Sequence, residues 1–179
     1  SVRSFLDKPV DLETLTRVMD KARFAPSGCN FQPWEASIVT GEPLRALQQK
    51  MLAAPPQDPP EYDWSAPNAS SAHKARYLDV SERMYDALGI SRADKEARRA
   101  FVSANIASFG APAVLFCYFP RLMGPPQWSD VGMWLQTVML LLREEGLDSC
   151  PQEYLWMYAR LIKEFLGVND ETHIFFCGL

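Results

Sequence analysis

The stretch Asp130 to Glu144, DVGMWLQTVMLLLRE, most constrains what this chain can fold into. Its pattern predicts a helix that is apolar nearly all round, so no broad face is left for water. Its apolar run, Val131 to Leu142, is interrupted by Gln136 and Thr137. It falls short of the roughly 20 residues that a membrane span needs. The helix must therefore be buried inside protein. A chain of 179 residues suits one domain with few layers to hide it in. The expectation is a homodimer whose interface centres on this helix.

The other elements follow from period and punctuation. Asp11 reads as the N-cap of a helix in which Leu12, Leu15, Val18, Met19 and Ala22 recur at helical spacing, ending at Pro26-Ser27-Gly28. Trp34 to Thr40 and Ala113 to Phe119 read as strands, the second buried, and His173 to Cys177 as a third. Helices are predicted over Leu44 to Ala53, Ala72 to Leu88, Ala93 to Ser108 and Glu153 to Leu166. The class is α+β, with helices outnumbering strands. Residues 55–72 hold five prolines with Tyr62 and Trp64, which predicts a long loop inserted in a single domain. The opening at Ser1 and the stop straight after Phe175-Phe176-Cys177-Gly178-Leu179 lead us to expect residues missing at both ends.

Composition narrows the partners. The formal net charge is −4 and the basic residues are scattered, which argues against nucleic acid. Cys29, Cys117, Cys150 and Cys177 form no CxxC pair, and His73 and His173 lie near none of them, so no metal site is expected. Sparse cysteines without a signal peptide lead to the expectation of a cytoplasmic protein.

Four stretches carry polar groups that chemistry could use. Ala25-Pro26-Ser27-Gly28-Cys29-Asn30-Phe31-Gln32-Pro33-Trp34 puts three hydrogen-bonding side chains into a helix-breaking turn before a strand. By composition alone, a turn that satisfies its own backbone is the commoner reading. Ser1-Val2-Arg3-Ser4-Phe5 sets an arginine between two hydroxyls, a pattern able to clamp a phosphate. Cys150-Pro151-Gln152-Glu153 opens a helix with free backbone N–H groups. Asn105, on the last turns of a predicted helix before Phe109-Gly110-Ala111-Pro112, offers an amide to a cleft. No Walker or GxGxxG spacing occurs.

Together these stretches resemble the nitroreductase family of FMN-dependent oxidoreductases. APSGCNFQPW is similar to that family's A-P-S-x-x-N-x-Q-P-W motif almost position for position, and S-V-R-S-F is similar to its R-R-S-x-R-x-F signature. Asn105 with FGAP, then SDVGMWLQTVMLLL, then GLDSCPQE, follow in the family's order. The resemblance implies a nitroreductase-like fold, with a mostly antiparallel central sheet flanked by helices in an intertwined homodimer. It implies FMN as cofactor and NADH or NADPH as electron donor. The acceptor would be a nitroaromatic, a quinone or a similar electron-poor small molecule, reduced by a ping-pong mechanism.

Residue by residue, the resemblance implies that Ser1 and Arg3 contact the FMN phosphate and ring edge. Pro26, Ser27, Gly28 and Asn30 would reach FMN from the partner subunit, with Gln32 supporting that loop or touching the flavin. Asn105 would bond the pyrimidine side of the ring. Pro151, Gln152 and Glu153 would lie along the face that carries N5, with a backbone N–H aimed at it. Tyr62, Trp64, Phe109 and Trp128 are candidates for stacking on the acceptor, as is Tyr77. No side chain need serve as acid or base, because the flavin carries the chemistry. A flavin reductase, a deiodinase-like or a flavin-fragmenting member of the superfamily stays open at this point. So do a flavin-binding protein without turnover and a purely structural helical dimer.

Overall fold

The central strand decides the layering. Ala113–Pro120 is apolar on both faces, AVLFCYFP, and it is buried along almost its whole length. It is the middle of a three-stranded antiparallel sheet of order β1-β2-β3, formed by Glu35–Thr40, Ala113–Pro120 and His173–Gly178. Glu35 lies opposite Tyr118 and Thr40 opposite Ala113. Across β2 and β3, Cys117 faces Cys177, and the register shifts between Cys117 and Tyr118. The expected α+β class with an antiparallel sheet is what the computed structural model shows for residues 2–62 and 70–179. Ser1 and Trp64, both candidates above, lie outside these described residues.

Helices flank this sheet. Leu12–Ala22 (α1) and Pro125–Glu144 (α5) pack on each other, and Phe119 of β2 meets Trp128 of α5 edge-on at 4.9 Å. Gly41–Ala53 (α2) and Ala159–Leu166 (α6) pack against the sheet, where Leu44, Leu47, Met51, Leu155 and Ile162 close over Val114, Phe116 and Phe175. Burying Leu47, Leu155 and Ile162 contributes about 1.5–3 kcal/mol each.

By its contacts the chain divides into two units, 1–61 with 106–179, and 62–105. The second holds Ser71–Ala87 (α3) and Lys95–Ser103 (α4), joined where Arg98 lies 3.9 Å over the Tyr85 ring and Phe101 meets Tyr85 edge-on. The loop expected at 55–72 straddles this division. Its first part is anchored in the first unit: Gln57 N–H donates to Met157 O at 2.8 Å, and Gln57 Oε1 accepts from Arg160 N–H at 2.7 Å.

Three boundaries depart from the sequence pattern, each for a local reason. The helix expected over 93–108 stops at Ser103, and Ser108, Phe109 and Gly110 then take positive φ. That reversal is tied down from outside, by Gln48 Nε2 donating to Ser108 Oγ and Phe5 N–H donating to Phe109 O. The helix expected from Glu153 begins as a 3-10 turn over Glu153–Tyr158, because Gln152 is held in a bridge to Gly178 of β3. Helix α5 begins at Pro125, earlier than Asp130, because Pro at its start has no amide to lose and Gln127 Oε1 accepts the Gly124 N–H.

Helix α5 is also not buried on all sides. Val131, Trp134, Leu135, Val138 and Leu142 face the core, while Met133 and Leu140 are 40% and 61% exposed. Among the described residues no helix is long and apolar enough to cross a membrane.

Candidate functional site

Among the described residues, the turn between α1 and β1 holds three of the five non-glycine residues with positive φ. Cys29, Asn30 and Gln32 have φ of +50°, +57° and +47°. Left-handed backbone costs about 1–3 kcal/mol for a residue with a side chain, and such positions cluster at functional sites. Local bonds hold the turn: Ser27 Oγ accepts from Gln32 N–H at 3.0 Å, and Asn30 Oδ1 accepts from Gln32 Nε2 at 2.9 Å. One bond reaches the body of the protein, from Gly28 N–H to Asp130 Oδ2 at 3.1 Å. Asn30, Phe31 and Gln32 are exposed, and Pro33 and Trp34 lead into the core, where Trp34 stacks on Trp134.

Arg3 lies in a second group. Val2 N–H donates to Ser149 O and Phe5 N–H to Phe109 O, so the segment carrying Arg3 is tied on both sides. This brings Arg3 beside Ser149 and the Phe109-Gly110 reversal. Arg3 is exposed and, among the described residues, has no carboxylate in an ion pair. Cys150-Pro151-Gln152-Glu153 continues from Ser149. Gln152 N–H is committed to Gly178 O at 2.7 Å, and Pro151 has no N–H, so Glu153 supplies the next backbone amide of this stretch.

These two groups sit at opposite ends of α5. Gly28 is held by Asp130 near its start, while Lys21 and Arg17 of α1 pair with Glu144 and Glu145 at its end. Helix α1 therefore runs antiparallel to α5. The helical rise separates Asp130 from Glu144 by about 21 Å. A cavity of about 480 Å³ lies beneath the N-terminal segment, lined by Phe5, Leu15, Leu115, Val138, Leu147 and Gln152 among others. Arg3, the 26–32 turn and Glu153 do not line it.

The remaining candidates are placed differently. Asn105 stands two residues past the end of α4 rather than within it, and its Nδ2 donates back to Val102 O at 2.9 Å. Phe109 is buried. Trp128 packs edge-on against Phe119 and Phe176. Phe109 thus packs in the core, while Trp128 is half-buried. Tyr62 is half-buried and Tyr77 is 49% exposed. Burial pushes the Cys177 thiol up to about 12 and holds the Cys117 thiol well above its ordinary value, so both are packing groups.

Two side chains that matter here carry no local signal. Asp130, 5% exposed, anchors the turn through a contact 102 residues away in sequence. Glu61, at the end of the first unit's proline-rich segment, pairs with the fully buried Lys163 at 2.7 Å and with Arg121 at 3.0 Å.

The chain is similar to known proteins over nearly its whole length. The 4-nitrobenzoate reductase of Pseudomonas putida is 33% identical over 182 residues, covering 100% of this chain and 79% of that protein. The crystal structure of the FMN and NADPH-dependent nitroreductase NfnB from sphigopyxis sp. strain HMH matches with a TM-score of 0.93 at 46% identity, over 99% of this chain and 81% of that one. The FMN-dependent NfnB from Mycobacterium smegmatis, solved in complex with NADPH, matches at a TM-score of 0.92 and 28% identity, over 99% and 80% of the two chains. The sequence model of the nitroreductase family matches residues 1–179, and the chain belongs to that family.

Proposed function

We propose that this chain is an FMN-dependent oxidoreductase that moves electrons from NAD(P)H to nitroaromatic acceptors. The observation that carries the reading is the 27–32 turn, whose left-handed Asn30 and Gln32 present side-chain amides at the surface beside the Ser27 hydroxyl. Relatives named for FMN, NADPH and nitro compounds support it.

The donor set fits FMN. A phosphate is bound well by an exposed guanidinium without a carboxylate partner, which Arg3 offers. The edge of an isoalloxazine presents both acceptors and a donor, to which Asn30, Gln32 and Ser27 are complementary. When bound, FMN supplies the redox chemistry, taking two electrons and a proton from NAD(P)H and passing electrons to the nitro group.

The protein's part is to hold and orient. Arg3 neutralises the phosphate or the ring edge. Ser27, Gly28, Asn30 and Gln32 meet the ring from the turn, with Pro26 keeping its shape. The Glu153 amide is the donor for the N5 side, since the Gln152 amide is already bonded. Donor and acceptor use one place in turn, so the kinetics are ping-pong.

The turn and the Arg3 group lie near opposite ends of α5, an arrangement that suits a ligand held by two chains. Two copies bring them together, with the turn of one protomer meeting Arg3 and Glu153 of its partner. Met133 and Leu140, exposed on α5, supply apolar surface for that association.

The test is the visible spectrum of the protein with FMN, before and after NAD(P)H in the absence of oxygen. The flavin band should bleach, then recover on adding a nitroaromatic. A colourless protein that stays colourless with FMN overturns the reading.

A further inference from the structure

Asp130 is out of place in the packing face of a helix. It is 5% exposed on α5, next to the fully buried Val131, and among the described residues it forms no ion pair. Burying a carboxylate without a cation is unfavourable, and an apolar side chain would serve the helix better. Its bond from Gly28 N–H is what the carboxylate gains. The bonds inside the turn close it on itself, and they do not fix it against the rest of the molecule. Left-handed residues with side chains persist only where the surroundings over-determine them.

We propose that Asp130 is a positioning residue: its buried carboxylate pins the left-handed 28–32 turn to α5 and so aims Ser27, Asn30 and Gln32 at FMN. This rests on the FMN reading above. The role is that of an acceptor. A negative charge behind a turn that faces an anionic cofactor opposes binding, so an account based on charge gives the opposite sign.

Substitution separates the two accounts. Asp130→Asn keeps an oxygen for the Gly28 amide and removes the charge. Asp130→Leu removes the acceptor and keeps the branched side-chain shape. Wild type, both variants, Asn30→Ala and the double variant Asp130→Leu/Asn30→Ala are titrated with FMN by fluorescence quenching. Far-UV circular dichroism and sedimentation are recorded on each apoprotein.

Asp130→Asn should bind within about threefold of wild type, and Asp130→Leu about ten- to a hundredfold more weakly, at unchanged fold and assembly. The double variant should bind within about twofold of Asp130→Leu, because a turn already misaimed gains little from Asn30. If Asp130→Leu does not fold, Gly28→Pro replaces it. A proline has no amide to donate, so this variant removes the same bond from its other side. Ser27 already has the extended backbone that a following proline prefers. The same loss is expected.

Wild-type affinity in the acceptor-free variant, equal weakness of Asn and Leu, or multiplied losses in the double variant each overturn the proposal. Failure of wild type to bind FMN overturns the cofactor reading instead, so the two failures are distinct.

Discussion

At the scale of single residues, charge placement gives the sharpest tests. Arg3 is exposed and tethered through its neighbours' amides, so removing its side chain leaves the fold alone. Arg3→Ala should weaken FMN by about ten- to a hundredfold, the value of one charge-assisted contact. Riboflavin, lacking the phosphate, should bind both forms nearly equally in parallel titrations. Equal weakening of both ligands shows that Arg3 does not hold the phosphate. Asp170 makes a different test. Its bond to Lys163 holds its carboxyl below the ordinary value. A carboxyl lowered on folding adds stability above its unfolded pKa, about 3.9, and loses it as pH falls through the folded value. The gap in unfolding midpoint between wild type and Asp170→Asn should therefore be full at neutral pH and shrink in acid. A gap independent of pH shows that the bond adds nothing. Asp170 is partly exposed, so the effect is modest.

At the scale of elements, contacts local in sequence were legible and contacts between distant elements were not. The N-cap at Asp11 was readable because its partners, the Glu13 and Thr14 amides, lie within one helical turn. The ten-residue turn motif was readable because all its polar groups are contiguous. Nothing local announces that Asp130 will meet Gly28, or that Glu61 will meet Lys163; each pair is 102 residues apart. Likewise the helical period from Glu153 onward gives no sign that the Gln152 bridge will hold its first turns as a 3-10 helix. That bridge requires Gly178, where an added Cβ would stand 2.6 Å from Leu155 Cδ1. Leu155 is fully buried, so shifting its Cδ1 disturbs the packing around it. Gly178→Ala should therefore cost about 1–3 kcal/mol, measured by denaturant unfolding. Trimming the obstacle in Gly178→Ala/Leu155→Val should recover part of it. Additive losses would show that the clash is not the cause.

At the scale of the whole molecule, α5 exposes Met133 and Leu140 on the side away from its own core. Sedimentation at micromolar concentration should give twice the chain mass. Leu140→Arg, which places a charge in the middle of that surface, should shift the protein toward monomer and lower its flavin content together. A wild-type monomer, or a monomeric variant that keeps its flavin, rules out a site shared by two chains. The placement of Arg3 and the 28–32 turn at opposite ends of α5 has a consequence for how the protein behaves on dilution. A cofactor gripped by two chains is also a crosslink. Whatever factor FMN adds to the association constant of the subunits, association must add to the affinity for FMN. Flavin retention then depends on protein concentration as well as on free FMN. At a fixed excess of FMN the melting temperature should climb as the protein is concentrated, and a dilute solution should release flavin that a concentrated one holds.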